Sequence, residues 1–232
     1  MQLERTAILV DGAFFIKRAL KIFGPLDPSQ LANRLCRYAY YHLRQRSQGE
    51  QIAESDYLYR IFYYDCPPLT KKLHHPLTQQ QIDFSKSDNS KWRMAFHEEM
   101  KKRRKVALRL GHIDDVNVSW SIKYDQTKKL CRGNITIADL QESDFALNAK
   151  QKGVDMRIGL DIASMAFKKQ VSRIVLIAGD SDFVPAAKLA RREGIDFILD
   201  PMWAQIKPDL HEHIDALRST FPKPSYMTAP QY

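Results

Sequence analysis

The chain has 232 residues, 44% hydrophobic and 27% charged, a balance that suits globular packing and excludes a mostly disordered chain, a collagen and a coiled coil. No apolar run approaches the ~20 residues needed to span a bilayer, and three cysteines (Cys36, Cys66, Cys131) without close spacing argue against a disulfide framework or a zinc cluster. Lys and Arg number 36 against 27 Asp and Glu, a net charge of +9 that favours a polyanionic partner such as RNA or DNA.

Thr6 to Val10 (TAILV) is a β-rich run ending at Asp11-Gly12. A helix is predicted from about Ala13 to Ile22, broken by Gly24-Pro25 and Asp27-Pro28. Leu31, Leu35, Tyr38, Ala39 and His42 recur at helical spacing, so 29–45 reads as a second helix capped by Ser29 or Asp27. Ser47 to Ser55 is a polar loop, and Tyr57 to Tyr64 (YLYRIFYY) suits a buried strand. Residues 68–90 read as a long polar loop with a short helical turn, and Lys91 to Arg104 as a basic helix. Val106 to Ile113 is the next strand, and Val116 to Lys123 either pairs with it or forms a hairpin through Asp125 to Lys128. Residues 125–150 carry little pattern. Val154 to Lys168 is amphipathic, with Val154, Ile158, Ile162, Met165 and Ala166 on one stripe. Arg173 to Ala178 is continuously apolar, as in a sheet covered on both faces. A turn at Gly179 to Asp182 leads into a helix from Phe183 to Glu193, Pro185 falling in its first turn and Gly194 at its end. Ile195 to Leu199 is a further strand, Glu212 to Ser219 a short helix, and 221–232 a flexible tail with three prolines.

Strands alternating with helices predict one α/β domain with a mostly parallel sheet, irregular around 114–150. Ligands of such sheets bind beyond the carboxyl ends of the strands. Two strands end in acid there: one in Asp11, the other in Gly179-Asp180-Ser181-Asp182. If those strands are neighbours, Asp11, Asp180 and Asp182 converge and repel one another unless a cation bridges them. Hard oxygen donors point to Mg²⁺ or Mn²⁺, which activate water and stabilise charge on a phosphodiester. Asp155 joins them from the start of the amphipathic helix, where a helix cap explains it equally well. Asp161 lies about 120° further round that helix, near its buried edge, and needs either a metal or a basic partner from a neighbouring element. Helix capping is the plain alternative for Asp180 and Asp182 and a turn role for Asp11; the acids taken jointly favour function.

The run Lys101-Lys102-Arg103-Arg104-Lys105 is the densest basic patch, a solvated helix face or a phosphate contact. Ser181 and the helix start after it offer donors to a phosphate. No G-x-x-x-x-G-K-[ST], G-x-G-x-x-G or G-x-S-x-G occurs, so ATP hydrolysis, dinucleotide binding and serine hydrolysis lack support. A phosphatase of the haloacid dehalogenase type needs a second Asp two residues after its nucleophile, and Ala13 stands there.

The segments ILVDGAFF (8–15), KGVDMRIGLDIASMA (152–166) and IVLIAGDSDFVPAAKLARREGI (174–195) resemble the NYN domain in its bacterial LabA/DUF88 branch. The resemblance implies a PIN-like three-layer α/β/α sandwich over 1–220 and a metal-dependent ribonuclease-type site. Carried over by motif, its acids are Asp11, Asp155, Asp180 and Asp182, and Asp161 matches the second acid of KGVD…D. Many members have Asn where this chain has Phe14. The expectation is therefore a cytoplasmic nuclease dependent on Mg²⁺ or Mn²⁺, acting on RNA rather than DNA and able to form a homodimer. Asp11, Asp155, Asp161, Asp180 and Asp182 hold the metal; Ser181, Lys152, Lys101, Lys102, Arg103 and Arg104 meet the nucleic acid. The rival is a catalytically silent RNA-binding or regulatory protein on the same fold, which Phe14 favours.

Overall fold

The structure, a computed structural model, describes residues 4–43 and 56–227. It divides into two compact units: Met1–Asp65, Ala95–Gly111 and Gly153–Tyr232 form the first, Cys66–Met94 and His112–Lys152 the second.

The first unit is built on six strands: β1 (Glu4–Asp11), β2 (Asp56–Asp65), β3 (Val106–Leu110), β4 (Arg173–Ile177), β5 (Asp196–Asp200) and β6 (Ala216–Leu217). Their spatial order is β6-β5-β4-β1-β2-β3, every neighbouring pair parallel. The chain works outward from β1 on one side, then returns to its other side at β4. The switch point, where doubly wound sheets open a ligand crevice, thus lies between the carboxyl ends of β1 and β4. Helices α1 (Gly12–Phe23), α2 (Pro28–Tyr41), α3 (Asp88–Lys101), α4 (Val154–Phe167), α5 (Val184–Arg192) and α6 (Pro208–His211) complete the α/β/α architecture that the resemblance implies.

Local chemistry sets these elements. Every residue of β4 is buried, as its unbroken apolar run requires. The buried side of α4 is the predicted stripe of Val154, Ile158, Ile162, Met165 and Ala166. Asp27 caps α2, its Oδ1 accepting from the Gln30 N–H at 2.9 Å, and Pro185 sits in the first turn of α5. Phe15, Tyr63, Phe96 and Phe221 form an aromatic core, Phe15 meeting Tyr63 edge-on at 6.3 Å and lying 6.1 Å from Phe221. Phe221, the first residue of the expected tail, is therefore buried in the core; residues 228–232 of that tail lie outside the described residues, as does the predicted loop Ser47 to Ser55. The predicted helix Glu212 to Ser219 does not form. Ala216–Leu217 instead pairs with Ile198–Leu199 as the edge strand β6, sheet pairing having overridden local propensity.

The second unit holds three short antiparallel pairs: Lys72–His74 with Gln81–Asp83, His112–Ile113 with Gln151–Lys152, and Ser119–Ile122 with Phe145–Asn148. The expected loop at 68–90 contains the first of these. Val116 to Lys123 takes neither of its two predicted partners, because Trp120 and Phe145 are drawn together around the buried His75, at 4.8 and 5.1 Å from its ring. His75 Nδ1 accepts the N–H groups of Leu77 and Thr78.

Candidate active site

Asp11 is the last residue of β1 and the cap of α1, its Oδ1 accepting from the Phe14 N–H at 3.1 Å. Gly12 lets the helix start beside β2: a Cβ there would stand 2.6 Å from the Tyr64 carbonyl and 2.7 Å from the Tyr63 hydroxyl. Burial is the main cause that raises the Asp11 carboxyl to about 6, and the charges of Asp155 and Asp65 add to it; the Phe14 and Ala13 N–H groups pull the other way. Asp155 lies in the first turn of α4. The cap there is Gly153, at φ 80 in the left-handed region, so capping does not explain Asp155. Partial burial, then the charges of Asp180 and Asp182, raise its carboxyl as well. Asp180 caps the turn Ser181–Phe183, accepting from the Asp182 N–H at 3.3 Å.

The switch point thus brings Asp155 within electrostatic reach of Asp11 on one side and of Asp180 and Asp182 on the other. Among the described residues none of the four is ion-paired with a Lys, Arg or His. Nor do three Asp, Glu, His or Cys side chains among them stand close enough to hold a metal ion as placed. The donor set is carboxylate oxygen and self-repelling, which suits a hard dication. Mg²⁺ keeps several waters and takes one or two carboxylates with substrate phosphate rather than a full protein cage.

Asp161 is placed differently. It lies six residues beyond Asp155, about 9 Å along the helix axis. Its Oδ2 accepts from the Tyr64 hydroxyl at 2.8 Å and from Arg109 Nε at 3.2 Å. This is the basic partner from a neighbouring element that its buried edge position demanded. Burial, with the Asp161 charge next, pushes the Tyr64 hydroxyl above its ordinary value. Asp11, Tyr64 and Arg109 are register partners across β1, β2 and β3, and so share one face of the sheet.

Two further strands end in acids that sequence reasoning missed. Asp65 closes β2 and Asp200 closes β5, both fully buried. His97 holds Asp65 at 2.8 Å; His42 holds Asp200 at 2.8 Å, with the Met202 N–H and Thr220 hydroxyl completing its shell. The strand ends YYD and ILD were visible in the sequence, but the histidines come from distant helices.

The basic run does not surround the acids. Lys101 pairs with Glu98, Lys102 and Arg103 with Glu99, and Lys105 lies over the Tyr57 ring and donates to the Leu58 carbonyl; Arg104 stands outside these pairs. Tyr57 is the register partner of Arg5, whereas Asp11 pairs with Tyr64. Seven residues of strand, about 20 Å, therefore separate the run, at the amino edge of the sheet, from the acids at its carboxyl edge. Lys152 belongs to the second unit and pairs there with Asp114 at 2.5 Å. Ser181 accepts at Oγ from Lys207 at 3.1 Å, a cation to which nothing in its sequence context pointed. Phe14 occupies the site's edge: a Cβ on Gly179 would stand 2.5 Å from its ring.

No curated protein matches the chain. Among solved structures, a protein of unknown function from Vibrio parahaemolyticus is similar at 16% identity and a TM-score of 0.48, over 94% of this chain and 96% of that one. Residues 94–207 match the family model of the NYN domain, a stretch that contains Asp155, Asp161, Asp180 and Asp182 and begins after Asp11. The matched stretch is just under half of the chain and runs from within α3 to the start of α6.

Proposed function

We propose that the protein is a divalent-metal-dependent ribonuclease that hydrolyses phosphodiester bonds. Asp11, Asp155, Asp180 and Asp182 are its metal-holding and catalytic residues, and Mg²⁺ or Mn²⁺ its cofactor. One observation carries this reading: four carboxylates stand without a basic partner at the switch point, Asp155 facing the charges of the other three, while two other strand-end acids of the same sheet are each held by a histidine. Uncompensated charge of this kind is costly unless a ligand uses it. When bound, the ion neutralises the acids and polarises the phosphodiester and its attacking water. Asp11 at the end of β1, Asp155 in the first turn of α4, and Asp180 and Asp182 after β4 are the residues that would hold it. Ser181, between the last two, keeps its hydroxyl and the Lys207 ammonium beside the phosphate. The NYN match favours RNA as substrate, and no helix among the described residues is long and apolar enough to cross a membrane.

The test is cleavage of end-labelled single-stranded RNA in Mn²⁺, in Mg²⁺ and in EDTA, with Asp180→Asn alongside. The wild type cleaves only with metal, and Asp180→Asn loses at least about 100-fold while unfolding at an unchanged temperature, as expected when a charge-stabilising group is removed. Full metal-dependent cleavage by Asp180→Asn would refute the site.

A further inference from the structure

Cations other than the predicted ones flank the acids. Arg109 sits on β3, two strand spacings or about 10 Å from β1, on the same face as Asp11. Its Nε is tied to Asp161 and its guanidinium lies over the Phe62 ring at 5.3 Å. The side chain is still 44% exposed, and its two Nη groups make no hydrogen bond among the described residues. A guanidinium held by one edge and one face presents its remaining fork in a fixed direction, the geometry that phosphate takes bidentately. On the other side of β1, Lys207 follows β5 and reaches the Ser181 hydroxyl between Asp180 and Asp182. In sheet order the sequence is Arg109, Asp11, the Asp180 loop, Lys207.

Resting on the nuclease reading above, we propose that Arg109 and Lys207 are phosphate-holding residues on either side of the acids. A single RNA strand then crosses the carboxyl edge of the sheet from β3 toward β5. Asp161 is the positioning residue for Arg109, acting through its Nε, and does not bind metal. The predicted run at Lys101 to Arg104, at the opposite edge, takes no part in holding the strand at the site.

Binding of a fluorescent 12-nucleotide single-stranded RNA, followed by anisotropy in Ca²⁺ across a salt series, tests this. Each lost phosphate contact flattens the slope of log affinity against log salt by about 0.7. Arg109→Gln and Lys207→Gln should each show that loss, the double variant about twice it, and Arg104→Gln none. In an Asp161→Ala background the effect of Arg109→Gln should shrink to less than half. Mn²⁺ affinity by calorimetry, without RNA, should be unchanged in Asp161→Ala and weakened in Asp155→Asn. An unchanged slope in both Arg109→Gln and Lys207→Gln overturns the strand path, even where the wild type cleaves normally. A fall in Mn²⁺ affinity in Asp161→Ala equal to that in Asp155→Asn overturns the positioning role. A wild type that cleaves RNA but binds it without salt dependence also overturns the path and spares the nuclease reading; a wild type that does neither removes both.

Discussion

Asp11→Asn should stabilise the metal-free protein at neutral pH while abolishing cleavage. The Asp11 carboxyl is raised from 3.8 to about 6, first by burial and then by the Asp155 charge, a difference worth about 3 kcal/mol between its two protonation states. A carboxyl raised on folding is held protonated by the folded chain between those two values, where the unfolded chain has already released its proton. Stability therefore falls as pH rises from about 4 to about 6 and stays low above it. Asn is uncharged and caps a helix as well as Asp, so the Phe14 N–H keeps its acceptor. In EDTA at pH 7.5 the variant should be about 2–3 kcal/mol more stable than the wild type, about 4–12 °C in melting temperature for a domain of this size. Below pH 4 the two should converge. Adding Mn²⁺ should raise the wild type and not the variant, narrowing the gap in proportion to occupancy. Urea and thermal unfolding at pH 3.8 and 7.5, with EDTA or Mn²⁺, measure all of this. A variant no more stable than the wild type at pH 7.5 would refute the premise that Asp11 carries uncompensated charge. So would a gap of equal size at both pH values.

The other strand-end acids predict the opposite. His97→Ala removes a buried hydrogen bond to Asp65 and should cost about 1–3 kcal/mol in urea unfolding; a loss below about 0.5 kcal/mol would mean that the pair is not a structural one. Gly179→Ala drives a methyl into the Phe14 ring, 2.5 Å away, and should cost about 1–3 kcal/mol by overpacking. The same change in a Phe14→Ala background should cost at least about 1 kcal/mol less, a coupling that a double-mutant cycle reads directly; additive losses would show that Phe14 is not what Gly179 accommodates.

Much of the first unit was legible because its signals are local. The unbroken apolar run of β4, the stripe of α4, and Asp27-Pro28 each state one element without reference to distant residues. The acids were visible for the same reason, since a strand end followed by Asp-Gly or Gly-Asp is a short pattern. What was not legible depends on pairing across the chain. Ala216–Leu217 is too short to declare itself a strand until β5 lies beside it. Trp120 and Phe145 are 25 residues apart and gather around a histidine that the sequence offers only as half of a polar pair. The basic run Lys101 to Lys105 misled because composition records charge but not position: two glutamates of its own helix pair with three of the five, and the strand length puts it at the far edge from the acids.

An acid at the end of a buried strand is not in itself a site. In this sheet β1, β2 and β5 all end in aspartate, and β4 is followed by another. Asp65 and Asp200 are fully buried, and each meets a histidine brought by a helix, so each carboxylate has a partner supplied by the fold. Asp11 is half-buried, yet the charges that raise its carboxyl are those of Asp155 and Asp65, both carboxylates. Folding has thus spent histidines on the flanking strands and placed only further acids at the one point where the chain reverses direction. The same point is where Arg109 and Lys207 approach from either side without pairing to any of the four. Negative charge left uncompensated at the switch point, with positive charge held just outside it, is the arrangement that a dication and a polyanionic strand together would complete.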